Sequence, residues 1–67
     1  MLKLKAEMVK KDVSISELSE KLGIHYNTLS KKLNSGEFTL SEMRSIAKIL
    51  NLSGAEILDI FFDLKVA

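Results

Sequence analysis

Three helix-start signatures constrain the fold of this chain more than any other feature. In each, a hydroxyl residue stands three positions before a glutamate, and the pairs are Ser14 and Glu17, Thr39 and Glu42, and Ser53 and Glu56. In such a capping box the hydroxyl accepts from the backbone N–H of the glutamate, and the carboxylate accepts from the backbone N–H of the hydroxyl residue. The spacing therefore predicts three helices that begin just after Ser14, Thr39 and Ser53.

Apolar residues recur at helical spacing between these signatures and fill in the remaining helices. Gly23 and the segment Asn34–Gly36 are typical helix-end signals, so the third helix is expected from about Tyr26 to Leu33. The expected inward positions are, in chain order, Leu2, Leu4, Met8, Val9, Leu18, Leu22, Leu29, Leu33, Leu40, Met43, Ile46, Ala47, Leu50, Ile57, Leu58 and Phe61. The pattern predicts an all-α fold, a compact five-helix domain.

Composition agrees with one small core and excludes several classes of protein. The chain has 67 residues, 46% of them apolar, with no proline and no cysteine. Residues 1–67 are therefore expected to form a single domain without disulfides or thiolate metal sites. No apolar run approaches the roughly 18 residues of a membrane span, and the N-terminus is too charged for a signal peptide. We expect a cytoplasmic protein with no membrane partner.

Catalysis has little support in the sequence. A single histidine, His25, and acidic residues that already occupy capping positions leave no nucleophile–base pair. The glycines stand singly, so no phosphate-cradling loop is expected. We expect no enzyme activity and no metal, cofactor or small-molecule ligand.

The net charge of +1 conceals an uneven distribution. Residues 1–34 carry seven lysines against four acidic residues, a balance of +3, whereas residues 35–67 carry three basic against five acidic residues, a balance of −2. A basic N-terminal half favours an anionic partner only slightly over an ordinary solvated surface.

The joint at Gly23 distinguishes this chain from a generic helical bundle. A capped helix, a tight turn at a glycine and a second short helix with a polar face make a helix-turn-helix, here at about residues 15–33. Leu18, Ile24 and Leu29 are spaced to pack the two helices at a steep angle. The third helix would then project its polar side outward.

Residues 14–58 resemble the phage-repressor helix-turn-helix family, the Cro and lambda-repressor-like DNA-binding domains; they read SISELSEKLGIHYNTLSKKLNSGEFTLSEMRSIAKILNLSGAEIL. The resemblance extends over roughly residues 4–62 and rests on a capped second helix, a Gly–apolar turn, a recognition helix with an Asn–Gly type ending and two further helices. The chain departs from the family pattern at Ile15, often a phosphate-binding Gln, at Ser19, often Ala, and at Lys32, often apolar. The first departure affects one phosphate contact, and Ser19 adds a hydroxyl that needs a partner.

The resemblance implies a role for the polar residues of the helix-turn-helix. The family inserts its third helix in the major groove of double-stranded DNA, where amide, hydroxyl and cationic side chains match base edges. By that resemblance the base contacts are His25, Tyr26, Asn27, Ser30 and Lys31. The phosphate contacts are Ser14, Ser16, Thr28, Lys32, Asn34 and Ser35.

A plainer interpretation stays open at these positions, because short polar residues and lysines are also common on a solvated helix face. His25 equally fits a turn or cap position, and Tyr26 fits a surface packing role. The N-terminal lysines favour a solvated helix face over a DNA-binding arm; they are Lys3, Lys5, Lys10 and Lys11.

Two adjacent rings stand near the end of the chain. A narrow apolar stripe cannot bury both, so Phe61 is expected in the core and Phe62, with Leu64, on a self-association surface. The family resemblance implies a homodimer on a pseudo-palindromic operator, with one recognition helix per half-site.

These observations predict a sequence-specific DNA-binding regulator of phage or bacterial type, acting in a bacterial cytoplasm as a Cro-like repressor that blocks polymerase. A second class stays open: a helix-turn-helix scaffold that binds a protein, such as an antitoxin or antirepressor. A steep loss of affinity with salt would favour DNA, because it reports phosphate neutralisation.

Overall fold

Five α-helices and a π-helix make up the part of the chain that the computed structural model describes, residues 2–62. The α-helices are α1 (Leu2–Lys10), α2 (Ile15–Leu22), α3 (Tyr26–Ser35), α4 (Leu40–Ile49) and α5 (Gly54–Ile57), and the π-helix (Leu58–Phe62) continues directly from α5. Over these residues the predicted all-α fold is confirmed. Between residues 2 and 62, no helix combines the length and apolar character needed to cross a bilayer.

Complete capping boxes begin α4 and α5 where the sequence predicted them. Thr39 Oγ1 accepts from the Glu42 N–H at 3.1 Å, and Glu42 Oε1 accepts from the Thr39 N–H at 2.8 Å. Ser53 and Glu56 form the same two bonds at 3.2 and 2.9 Å. Each box satisfies two of the backbone N–H groups that a helix start leaves without partners.

One half of the predicted box forms at the start of α2. Ser14 Oγ accepts from the Glu17 N–H at 3.1 Å, while the Glu17 carboxylate lies 3.6 Å from the Lys21 ammonium one turn later. The helix ends at Gly23, whose φ of 72° lies in the left-handed region that glycine adopts without a steric penalty. This abrupt end turns the chain toward α3.

α3 is two residues longer than the sequence predicted. It ends at Ser35 rather than near Leu33, because the left-handed residue that stops it is Gly36, with a φ of 78°. The Gly36 N–H bonds the Lys32 carbonyl at 2.7 Å, which completes the last helical turn. Asn34 therefore belongs to the helix and not to the loop.

Aliphatic side chains from α1, α2, α3, α4 and the π-helix form the core. Within residues 2–62 the buried apolar residues are Leu4, Met8, Leu18, Leu29, Leu33, Ile46, Leu50 and Ile60. α2 packs against both α3 and α4, and α1 packs against the π-helix. The helix-turn-helix is thus held from behind by α4.

Four residues predicted to point inward lie at the surface instead. Their exposed fractions are 84% for Leu2, 81% for Val9, 61% for Leu40 and 51% for Leu58. The buried stripe of α1 is defined by Leu4 and Met8, one turn apart, and Leu2 and Val9 lie on other sides of the helix. Leu40 opens α4, so a side chain that leans toward the N-terminus extends past the helix end. Leu58 lies within the continuous helical segment at residues 54–62, on a side that faces away from the buried Ile60.

Two aromatic rings connect the loop after α3 to the C-terminal end of the described chain. Phe38, in the loop at residues 36–39, meets Phe61 edge to face, with ring centroids 6.1 Å apart and an interplanar angle of 79°. Phe61 is half-buried against the core, whereas Phe62 is 48% exposed. Leu64, the other predicted self-association residue, lies outside the described residues.

Candidate nucleic-acid interface

α3 buries one narrow stripe of side chains and exposes a polar face. Leu29 and Leu33 are fully buried in the core. Seven predicted DNA-contacting residues of the turn and helix are exposed: His25, Tyr26, Asn27, Thr28, Lys31, Asn34 and Ser35. Ser30 is half-buried, which makes it the least accessible of the predicted base contacts. Tyr26 and Ser30 are four residues apart, as are Asn27 and Lys31, so the members of each pair are neighbours on the helix surface.

The turn at Gly23 presents this face at the surface. After the left-handed glycine, Ile24 packs against the core and His25 takes the N-cap position of α3 with extended backbone angles of −69° and 147°. The His25 side chain makes no capping hydrogen bond. His25 therefore occupies the N-cap position without capping the helix through its side chain, and its imidazole is exposed next to Tyr26.

Several predicted phosphate-contacting residues already accept hydrogen bonds within the protein. Ser14 Oγ accepts from a backbone N–H of α2 at 3.1 Å, and Ser35 Oγ accepts from a loop N–H at 3.2 Å. Asn34 Oδ1 accepts from the Lys5 ammonium at 3.2 Å. These bonds use acceptor capacity, so the Ser14 hydroxyl proton and the Asn34 amide N–H groups are left to donate to an anionic oxygen.

Lys5 is a residue of this surface that the sequence did not indicate. It belongs to α1, 29 positions before Asn34, so neither periodicity nor motif spacing relates the two residues. Its bond to Asn34 brings an ammonium group to the C-terminal end of α3. A lysine there adds positive charge next to a predicted phosphate contact.

Lys31 and Lys32 are sequence neighbours with opposite environments. Among residues 2–62, the exposed Lys31 side chain has no ion-pair or hydrogen-bond partner. Lys32 is half-buried, and its ammonium lies 3.1 Å from Glu42 Oε1. The Thr39 N–H bond to Glu42 is the main cause that lowers the pKa of this carboxyl, against the opposing effect of burial, and Lys32 lowers it further.

A protein-family model matches nearly the whole of the chain that the structure describes. The model of the Cro/C1-type HTH (helix-turn-helix) DNA-binding domain matches residues 3–63. The chain belongs to this family. No curated protein and no solved structure matches the chain significantly. The family match confirms the resemblance read from the sequence, and double-stranded DNA is the partner class of this Cro/C1-type domain.

The Cro/C1-type domain does not carry its basic excess as one open patch. Ion pairs with N–O distances of 2.8 to 3.8 Å join Lys3 to Asp59, Lys10 and Lys11 to Glu7, Lys11 to Glu56, Lys21 to Glu17, and Lys32 to Glu42. Within residues 2–62, the cationic side chains outside ion pairs are Lys5, Lys31, Arg44 and Lys48. Of these four side chains, Lys31 lies on the polar face of α3 and Lys5 bonds Asn34 near the C-terminal end of α3, whereas Arg44 and Lys48 belong to α4.

A second exposed surface of the Cro/C1-type domain lies between α4 and the C-terminal segment. It is a groove of about 620 Å³ whose apolar lining includes Leu40, Leu52 and Phe62, and Arg44 and Lys48 also line it. The predicted dimer residue Phe62 thus belongs to an apolar depression rather than to an isolated exposed ring.

The fold accommodates two of the departures from the family pattern in α2. Ile15 is half-buried and packs against the core, so its position has a structural use without a phosphate contact. Ser19 is 6% exposed, and its hydroxyl donates to the Ser16 carbonyl at 2.8 Å. The buried hydroxyl therefore has its partner within the same helix.

Proposed function

We propose that this chain is a Cro-like, sequence-specific transcriptional repressor that acts in a bacterial cytoplasm, with no catalytic activity, cofactor or small-molecule ligand. Residues 1–67 act as one domain that inserts α3 in the major groove of each half-site of a pseudo-palindromic operator. One observation carries the proposal: α3 exposes a polar side at its N-terminal end while Leu29 and Leu33 anchor it fully in the core.

Base readout is assigned to His25, Tyr26, Asn27, Ser30 and Lys31. Asn27 both donates and accepts, which matches the N6 and N7 edge of adenine, whereas Lys31 donates to guanine or to phosphate. Tyr26 contacts a thymine methyl through its ring or a phosphate through its hydroxyl. Lys31 has no partner to leave within residues 2–62, so binding DNA breaks no ion pair there.

Phosphate contacts are assigned to both flanks of the groove. On one side are Ser14, Ser16 and the free N–H groups that open α2, where the positive end of the helix dipole favours an anion. The phosphate contacts on the other side of the groove are Thr28, Asn34 and Ser35. Since the Asn34 oxygen faces Lys5, its amide N–H groups face away and can donate to phosphate. Lys32 is also a phosphate contact predicted from the sequence, but its ammonium can reach a phosphate only if it leaves Glu42.

The proposal includes a homodimer that forms through Phe62 and Leu64, weak in isolation and firmer on DNA. Phe62 is half-exposed in an apolar groove, and burial against a second copy would remove that surface from water. Mass measured at rising protein concentration should show self-association in the wild type. Phe62→Asp should stay monomeric over the same range, and a variant that associates like the wild type would rule out this surface.

Selection of bound duplexes from a random pool tests the DNA readout. The wild type should enrich a two-fold related motif, and Asn27→Ala and Lys31→Ala should each relax the preference at particular positions, by about 1–3 kcal/mol for each lost base contact. Lys10→Ala is the control for Lys31, because Lys10 is also an exposed lysine but belongs to α1 and does not line the Phe62 groove. A motif that survives unchanged in both α3 variants would refute the assignment.

Salt dependence separates this function from a protein-binding scaffold such as an antitoxin or antirepressor. Affinity for random duplex DNA should fall steeply between low and physiological salt, because phosphate neutralisation releases counterions. A domain that shows no duplex affinity at low salt, in the concentration range where it is folded, would favour the protein-binding alternative.

A further inference from the structure

The Lys32–Glu42 ion pair spans the loop by which the chain leaves α3. Lys32 lies in the last turn of α3 and Glu42 in the first turn of α4, ten positions apart, with the loop at residues 36–39 between them. Their side chains are 27% and 19% exposed, against 48% and 65% for the surface pair of Lys3 and Asp59. Reduced contact with water makes the Lys32–Glu42 attraction the stronger of the two.

One oxygen of Glu42 serves both the capping box and the ion pair. Oε1 accepts from the Thr39 N–H at 2.8 Å and from the Lys32 ammonium at 3.1 Å. The capping bond fixes the carboxylate relative to α4, and the carboxylate in turn holds Lys32. The end of α3 is thereby tied to the start of α4 by a side chain that is itself anchored.

A phosphate that took Lys32 from Glu42 would create an unfavourable arrangement. The Glu42 carboxylate, still capping α4 and mostly shielded from water, would lose its countercharge next to the anionic DNA backbone. Removing one partner of a partly buried ion pair is costly, because the remaining charge is left without compensation. Lys31, the adjacent exposed lysine without an ion-pair partner among residues 2–62, can contact DNA without that cost.

We propose that Glu42 is a positioning residue of the DNA interface: it holds Lys32 and so fixes the last turn of α3, with Asn34 and Gly36, instead of leaving Lys32 to bind a phosphate. This inference rests on the proposed function, because it assumes that α3 enters the groove. It assigns a role in DNA binding to a glutamate that touches no DNA, and it removes Lys32 from the phosphate contacts.

The salt dependence of affinity for the selected duplex tests this assignment. Each phosphate that a protein neutralises contributes about 0.9 to the slope of log affinity against log salt. Lys32→Met and Glu42→Gln should each weaken DNA binding by roughly threefold to tenfold at every salt concentration. This range corresponds to a modest coupling energy between two residues that contact each other. Neither should change the slope, and the double variant should be no weaker than either single variant.

Matched variants separate positioning from direct contact and from loss of the helix cap. Lys31→Met should lower the slope by about 0.9, because the exposed lysine contacts DNA directly. Lys32→Arg keeps the charge and should restore wild-type affinity. Glu56→Gln alters the other complete capping box, whose carboxylate lies 3.7 Å from Lys11, and should leave affinity unchanged. Thermal unfolding of each variant confirms that the compared proteins are folded.

Amide hydrogen exchange gives a readout that does not depend on DNA. Exchange of the Gly36 amide, which bonds the Lys32 carbonyl at 2.7 Å, should accelerate severalfold in Lys32→Met and Glu42→Gln but not in Lys31→Met.

Two sets of results would overturn the proposal. A slope lowered by about 0.9 in Lys32→Met, with Glu42→Gln binding as well as or better than the wild type, would make Lys32 a phosphate contact that Glu42 restrains. Unchanged affinity in both variants would mean that the pair does not position the interface. A wild type that binds no duplex would instead refute the proposed function, and Gly36 exchange would still show whether the pair restrains the loop.

Discussion

The helix-turn-helix and the C-terminal segment at residues 54–62 are held in place in different ways. In the helix-turn-helix, Leu18, Leu29 and Leu33 are fully buried, and both helices end at left-handed glycines. Between residues 54 and 62, Ile60 is the one buried side chain, and Leu58 and Phe62 are about half exposed. The proposed base readout by the first region requires a firmly anchored backbone, whereas the proposed self-association of the second requires exposed apolar groups.

Truncation of one leucine in each region should give the largest contrast. Leu29→Ala removes a fully buried side chain and should lower the free energy of unfolding by about 2–5 kcal/mol. Leu58→Ala alters a half-exposed residue, and its effect should be within about 0.5 kcal/mol of zero. Urea denaturation of the two variants measures both values, and equal losses would contradict the difference in anchoring.

A pair of glycine substitutions should sharpen the contrast at the level of the backbone. At Gly23 an added Cβ meets no atom within 4 Å, so the cost of Gly23→Ala is the left-handed φ of 72° itself, about 1 kcal/mol. Gly54 begins α5 without a positive φ and also has open space around it, so Gly54→Ala should stabilise by about 0.4–1 kcal/mol. The thermal denaturation midpoint should therefore fall in Gly23→Ala and rise in Gly54→Ala. An unchanged midpoint in Gly23→Ala would show that the turn tolerates another backbone conformation.

Acidification should produce the smallest effect, through Glu42, which pairs with Lys32 of the helix-turn-helix, and through Glu56 in the C-terminal segment. The pKa values of Glu42 and Glu56 lie below the ordinary value of 4.5, chiefly because each carboxylate accepts the backbone N–H of its capping partner. The folded state therefore binds these protons more weakly than the unfolded state does. The stability they contribute is fully present above pH 4.5 and is lost as pH falls through the folded pKa values.

Denaturation midpoints measured from pH 6 down to about pH 3 test this dependence. Glu42→Gln and Glu56→Gln remove one titrating group each, so each variant should lose less stability on acidification than the wild type does. Identical pH profiles for all three proteins would show that the capping boxes do not contribute to acid sensitivity.

The helix starts could be predicted because their signals are local. A hydroxyl residue and a glutamate three positions apart form the cap within a single turn, as Thr39 and Glu42 do. The predicted end of α3 was two residues too early, because the segment Asn34–Gly36 offers three residues that could stop a helix. Only Gly36 takes the left-handed conformation that ends α3. Local chemistry thus predicted the order of the α-helices better than their ends, and it did not predict the π-helix at Leu58–Phe62.

The polar face of α3 could also be predicted, because Leu29 and Leu33 fix which side of the helix is buried. The long-range partners of the charged residues could not be predicted. The bond of Lys5 to Asn34 spans 29 positions and that of Lys3 to Asp59 spans 56, and tertiary packing alone brings such residues together. Lys10 and Lys21 pair with glutamates within one turn of the same helix, so sequence spacing already allows those pairs. The ion pairs of Lys3 and Lys32 depend on tertiary contacts, and the sequence did not reveal them.

The edge-to-face contact of Phe38 and Phe61 has a consequence for the order in which the domain can be completed during synthesis. The DNA-facing positions assigned above all precede residue 36, yet the loop that follows them takes its aromatic partner from position 61. A ribosome releases the chain from its N-terminus, so α3 emerges well before the ring that holds its trailing loop. The loop that follows α3 therefore gains its contact with Phe61 only after residue 61 has left the exit tunnel.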